Sequence, residues 1–274
     1  MMNEHISRRI FLGQSVAGVS ALGVSLWTIP TFADSSPILA KVAATPQDHM
    51  LRPALDIAQA GLKKLDEVED YTATFLKTEL VGRKVRESRM TLKLREEPFS
   101  VYLKFLNPSA GREVLYVRGA NNNRILVKDV GFASLAGTVA LDPTGSYAMD
   151  DNRYPLTDIG LRTLVTKLIE TWLNEADLEG MTVTVKSDVP VDSLKCQLVE
   201  VTHSQRHAKA KFQTTRLYID QATGLPVRLQ AYDFPSSRRD ATGALAEDYY
   251  YSNLQVNVGL AEIDFSTKNP AYRY

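Results

Sequence analysis

The sequence predicts an α+β fold: a single curved antiparallel β-sheet capped by two main helices. Three observations carry this. Apolar residues recur at period two in short runs separated by turn signals, the mark of half-buried strands joined as hairpins. Only two stretches show a strong helical period, and they interrupt the strand runs instead of alternating with them, which argues against a parallel α/β sheet. Nothing repeats at a fixed long period.

The first 33 residues read as an export tag. Arg8 and Arg9 precede a moderately apolar run to about Trp27 that contains Gly13, Gln14, Gly18 and Gly23. That run is too short and too weakly apolar for a membrane span, which needs about 20 mostly apolar residues. Thr31-Phe32-Ala33 places small residues where a signal peptidase reads, so cleavage after Ala33 is expected. Ser7-Arg8-Arg9-Ile10-Phe11-Leu12 resembles the twin-arginine signal, which implies the twin-arginine export machinery as a partner and an exported, periplasmic location in a bacterium. Residues 34–49, with two prolines and no periodicity, read as a linker or extended N-terminal arm.

From residue 50 to 274 the chain reads as one domain. Leu51, Ala54, Leu55, Ala58, Leu62 and Leu65 form one face of an amphipathic helix, with Pro53 in its first turn. The period then becomes two. Tyr71, Ala73 and Phe75, then Met90, Leu92 and Leu94, then Phe99, Val101, Leu103 and Phe105 place apolar residues on one face, with breaks at Val81-Gly82-Arg83, Glu97-Pro98 and Asn107-Pro108. Val114–Arg118 and Ile125–Lys128 continue the meander. A second helix carries the stripe Leu161, Leu164, Val165, Leu168, Ile169, Trp172 and Leu173. Strands resume at Met181–Lys186, Lys195–Thr202, Phe212–Ile219, Leu225–Tyr232 and Tyr249–Val256.

Composition narrows the function. Lys and Arg number 32, Asp and Glu 32, for a net charge of +0, so no global field recruits polyanions and nucleic acid is not an expected partner. Loss of the tag removes Arg8, Arg9 and Glu4, leaving the balance close to neutral. Cys196 is the only cysteine; it is in phase with Leu194 and Leu198 and reads as a core thiol. His203 and His207, four apart in HSQRHAKAK, read as part of a solvated hairpin and not as a metal pair, so no metal site is expected. Ser134 in GFASLAG lacks the Gly-x-Ser-x-Gly elbow. No Gly-rich phosphate loop or haem-attachment pair is present, and no cofactor is expected. Asp66, Glu67, Glu69 and Asp70 read as the polar end of the first helix.

The connection from Asp129 to Pro155 is long, and long loops in compact domains are often functional. Phe132, Leu135, Tyr147 and Met149 make it too apolar to lie free in water, so it is expected to pack over something: the open sheet edge, or a ligand groove as a lid. Asp150, Asp151 and Arg153 are placed either to contact a polar head group or to pair with one another. Beneath it, Tyr71, Phe75, Met90, Leu92, Leu94, Phe99, Val101, Leu103 and Phe105 supply an apolar concave face that serves equally as a ligand wall or a filled core.

Several segments resemble a known family. DYTATFLKTELVGRK, EEPFSVYLKFLNPSAGREVLYV, LDPTGSYAMDDNRYPLTDIG and YYYSNLQVNVGLAEIDFSTKNPAY resemble the exported bacterial family DUF1571, over residues 50–274. LYIDQATGLPVRLQAYDF is similar to a hairpin of the LolA and LolB outer-membrane lipoprotein-sorting proteins. The resemblance implies a half-barrel whose concave face holds an acyl chain, and hence a non-enzymatic periplasmic carrier of a hydrophobic or acylated ligand. Two alternatives stand beside it. One is a cell-envelope interaction module with a filled core that uses loops and the aromatic end Asn269–Tyr274 for a protein partner. The other is a hydrolase using carboxylates of the long loop.

Overall fold

Period-two alternation over 12 residues makes Asp70–Val81 (β1) and Lys84–Arg95 (β2) the longest hairpin of the molecule, turned at Gly82, whose φ of 61° suits the first position of a two-residue hairpin loop. This is a computed structural model, and it describes residues 35–236 and 243–274. Arg8, Arg9 and the cleavage position after Ala33 lie outside the described residues.

Two helices precede β1: Ser35–Ala44 (α1) and Arg52–Lys64 (α2). Finding α1 corrects the expectation of an extended arm. Pro37 falls in its first turn, where no intrahelical donor is lost, and Ile38 and Val42, four apart, are buried against the core. Arg52 fixes the α1 end by donating to the Val42 and Thr45 carbonyls at 2.8 and 3.1 Å.

After β2 the meander continues through Ser100–Asn107 (β3), Glu113–Val117 (β4), Ile125–Lys128 (β5) and Thr138–Leu141 (β6). The chain then forms Ser146–Met149 (α3) and Leu161–Asn174 (α4). It returns through Met181–Val191 (β7), Leu194–His203 (β8), Thr214–Asp220 (β9), Pro226–Tyr232 (β10) and Leu245–Val256 (β11). All pairings are antiparallel, in the order β6-β5-β4-β3-β2-β1-β11-β10-β9-β8-β7. The result is one open, curved, eleven-stranded sheet, not closed into a barrel.

Because β6 and β7 are consecutive in the chain but lie at opposite edges, residues 142–180 must cross the sheet. They do so over the concave face, where the largest core cluster joins α1, α2 and α4 to inward residues from both halves of the sheet. Tyr71 and Tyr251 anchor the crossing. Their hydroxyls accept from the Leu161 and Gly160 amides at 3.0 and 3.1 Å, satisfying donors that a helix start leaves free. Gly160 has φ 120°, and a Cβ there would sit 3.1 Å from Leu94 Cδ1 and 3.2 Å from the Tyr71 hydroxyl.

The outer face of β3–β5 is covered by the chain's last residues. The Asp70 carboxylate accepts from the Val258, Gly259 and Leu260 amides at 2.8, 3.2 and 2.8 Å, so Asp70 is buried and not part of a solvated helix end. Leu260, Phe265, Tyr272 and Tyr274 then pack on Tyr102 and Leu115. The Tyr272 ring stacks on Tyr102 at 3.9 Å and 7°, and the Arg273 amide donates to the buried Glu113 at 2.7 Å. The aromatic end expected to meet a protein partner is therefore occupied by the chain's own sheet.

Two outcomes are expected. Gly160→Ala, forced into a left-handed conformation against Leu94, lowers stability by about 1–3 kcal/mol, measured by urea unfolding. Glu96 lies beside Arg162 (3.7 Å); burial pushes its carboxyl up to about 7, against the pull of Arg162 and Arg118. The native state therefore holds this proton more tightly than the unfolded chain, and its contribution to stability is full below the ordinary carboxylate range and lost as pH rises through about 7. Glu96→Gln should flatten the decline in unfolding free energy between pH 5 and 8 by about 1–3 kcal/mol; an unchanged slope would refute this assignment.

Candidate functional site

Inward alternation on β1–β6 builds cross-strand apolar pairs: Phe75 opposite Met90, Met90 opposite Phe105, Leu103 opposite Val114, and Val114 opposite Val127. On the other half of the sheet the helices reach this layer, with α2 against β7, β8 and β10 and α4 against β10. Over β3–β6 the roof is only the thin crossing segment. Below it lies a cavity of about 890 Å³, walled by Phe75, Met90, Leu103, Phe105, Ile125 and Val127 and roofed by Leu156, Ile159, Leu164 and Leu168. Its size is that of a small-molecule site.

Of the concave residues expected to meet a ligand, Phe75, Met90, Leu103 and Phe105 line this cavity. Tyr71, Leu92, Leu94, Phe99 and Val101 face the same side but are buried in filled core, nearer the start of α4. The boundary crosses the strands: alternation gives the face, but not the point at which the helices stop filling it.

The long connection departs from expectation more sharply. Phe132 and Leu135, expected to pack over the sheet, are 94% and 85% exposed in the turn of 3₁₀ helix between β5 and β6. Tyr147 lines the cavity rim while remaining 78% exposed, and Asp150 lines it too; Met149 is half-buried and does not. Part of the connection is a strand, β6, pairing with β5.

Asp151, Asn152, Arg153 and Tyr154 fasten the crossing to successive strands. Asp151 pairs with Arg86 of β2 at 2.5 Å, and Asn152 accepts from Lys77 of β1. The Arg153 amide donates to Glu79 of β1 at 3.1 Å, its guanidinium to the Leu80 carbonyl at 2.9 Å, and its Nε contacts Glu247 of β11 at 3.1 Å. The Tyr154 hydroxyl donates to Glu247 at 2.9 Å. Glu79 and Glu247 sit directly opposite one another in the β1–β11 register, both buried, a like-charge pairing that is unfavourable unless bridged. Arg153 bridges them, with Lys77 (3.0 Å) and the Tyr249 hydroxyl (2.6 Å) completing Glu79. Burial pushes the Glu247 carboxyl up, Glu79 adds to this, and Lys211, Tyr154 and Arg153 oppose it. The Tyr154 and Tyr249 hydroxyls are pushed far up by burial and the neighbouring carboxylates, so both remain protonated donors.

Sequence reasoning passed over Lys77, Glu79, Tyr154, Lys167, Lys211, Glu247 and Tyr249, all in the cavity wall. A signal was present for two of them. Lys77 and Glu79 keep the inward phase of Tyr71, Ala73 and Phe75, so the strand carries charge on its core-facing side.

His203 is corrected as well. It ends β8, is 2% exposed, and its Nε2 lies 2.9 Å from Glu175 Oε2; His207 is half-buried, bonded to the Glu179 carbonyl at 3.0 Å. Among the described residues no group of three or more His, Cys, Asp or Glu is placed to hold a metal. Cys196 is fully buried on the outer face with Val191, Leu198, Tyr218, Val227 and Tyr250, its thiol pushed up to about 11 by burial and Asp220. Among the described residues no helix is long and apolar enough to cross a membrane.

Solved structures similar to the chain include a crystal structure of the Mycobacterium tuberculosis lipoprotein LppX, 15% identical, with a TM-score of 0.44 over 75% of this chain and 98% of that one. A complex of MucA and MucB from Pseudomonas aeruginosa is 15% identical, with a TM-score of 0.40 over 77% of this chain and 60% of that one. A LolA superfamily protein from Nitrosomonas europaea is 13% identical, with a TM-score of 0.30 over 76% and 97%. No curated protein matches the chain. The family model described as "Protein of unknown function (DUF1571)" matches residues 68–274, and the chain belongs to that family.

Proposed function

We propose that this protein is an exported, non-enzymatic binding or carrier protein that holds one acylated or lipid ligand in the cavity under the concave face. The observation that carries the reading is the cavity itself: about 890 Å³, with one wall of apolar side chains from β1–β5 and another of charged and polar groups, the pairing an amphiphile needs. Each methylene transferred from water to such a wall gains about 0.8 kcal/mol. The twin-arginine-like segment around Arg8 and Arg9 supports export through that machinery to the periplasm.

A second reading, an envelope protein as partner, draws on Phe132 and Leu135, two nearly fully exposed apolar side chains on one turn. It does not account for the cavity. The hydrolase reading from loop carboxylates finds less support, since Asp151 is spent on Arg86 and Asp150 has no partnered base beside it among the described residues.

Native mass spectrometry of protein purified from its host envelope without detergent should reveal an acyl species at close to one per chain. Titration of delipidated protein with fatty acids, followed by Trp172 emission, should show affinity rising about tenfold for every two methylenes until the cavity is full. Trp172 is buried and its indole N–H bonds Thr215, a cavity-wall residue, at 2.8 Å. Val127→Phe, which puts a ring into the void, should weaken binding about tenfold while leaving stability unchanged or raised by about 1 kcal/mol. A clean apo mass together with no dependence on chain length would overturn the reading.

A further inference from the structure

We propose that Lys211, with Lys167 beside the same Tyr154 ring, forms a binding site for the anionic head group, carboxylate or phosphate, of an acyl amphiphile whose chain lies in the cavity; this rests on the reading of the cavity as a ligand site.

The cations of the cavity wall are not equivalent. Lys77 pairs with Glu79, Arg86 with Asp151, Arg112 with Asp129 and Lys167 with Asp158. Lys211 has no carboxylate within ion-pair distance among the described residues; its ammonium donates to the Tyr154 hydroxyl at 2.6 Å. An ammonium carries three donors, so two remain for a ligand. Lys211 Nζ lies 4.9 Å from the centroids of both Tyr154 and Phe212, and Lys167 Nζ lies 5.4 Å from that of Tyr154. The two ammonium groups thus share one aromatic ring at the cavity wall.

The position is built, not incidental. The Lys211 amide donates to Glu175 Oε1 at 2.9 Å, and Glu175 is held in turn by buried His203 at 2.9 Å, which fixes the backbone from which the ammonium extends. Tyr154 is fixed by its donation to Glu247. Burial lowers the Lys211 pKa, and the positive charges of Arg153 and Lys167 lower it further, against the pull of Glu247 and Glu175; an arriving anion relieves this repulsion. The exposed polar lining elsewhere is on balance of the opposite sign, with Glu87, Asp150 and Asp151 against Arg86 while Arg112 is matched by Asp129. An amphiphile with an anionic head is therefore oriented with its head toward Lys211, where its chain can extend to Phe105 and Val127.

The test compares palmitate, lysophosphatidate, neutral monopalmitoylglycerol and inorganic phosphate on wild type, Lys211→Gln and Lys211→Arg, with near-ultraviolet circular dichroism confirming the fold. Wild type should bind palmitate or lysophosphatidate about tenfold or more tightly than the neutral glyceride. Lys211→Gln should remove that difference without changing glyceride affinity, and Lys211→Arg should retain most of it. Preference between palmitate and lysophosphatidate identifies the head as carboxylate or phosphate. Equal wild-type affinity for charged and neutral lipids, or equal loss of both in Lys211→Gln, overturns the head-group site and leaves the cavity reading standing. Inorganic phosphate binding as tightly as lysophosphatidate overturns the amphiphile, and no lipid binding at all overturns both.

Discussion

One connection governs this molecule. Since β1 pairs with β11 at the middle of the sheet while β6 and β7 occupy its edges, a single segment must carry the chain from one edge to the other. That segment is held at two places by hydrogen bonds: Gly160 and Leu161, buried, on two tyrosine hydroxyls, and Arg153 and Tyr154, partly buried, on two opposed glutamates. The roof of the cavity and the placement of α4 both require the crossing to stay where these contacts put it.

The two attachments differ in kind. At the Tyr71–Tyr251 end, neutral hydroxyls meet amides among buried side chains, at the inner end of the cavity. At the Glu79–Glu247 end, charges are buried beside a void. A buried charge cluster is commonly no more stable than an apolar one of the same volume, because desolvation offsets the attraction. The molecule therefore holds its crossing at that end with groups that favour one geometry more than they favour stability.

Much of the architecture was legible in the sequence because its signals are local. Period two in β1–β3, the stripe Leu161 to Leu173 and the phase of Cys196 each follow from the side of an element on which a residue falls. What was not legible depends on pairs distant in sequence. Glu79 and Glu247 meet only through the β1–β11 register, and His203 is buried only because Glu175 arrives from the end of α4. Helix α1 was hidden by Pro37, harmless in a first turn. The exposure of Phe132 and Leu135 defied a sound rule, that apolar loops pack, since nothing in a linear pattern says whether a surface lies within reach.

The open sheet leaves two unequal borders. Along β7 the ladder is interrupted between Lys186 and Val189, Asp188 is turned to φ 56°, and Pro190 lacks an amide, so this border resists templated strand addition. Thr138–Leu141 at the other border is uncharged and guarded, among the described residues, chiefly by being only four residues long. Head-to-tail growth needs both borders to be receptive, and the β7 border disfavours it. Strand addition between copies is thus directed to like borders meeting about a two-fold axis, an arrangement that closes on itself.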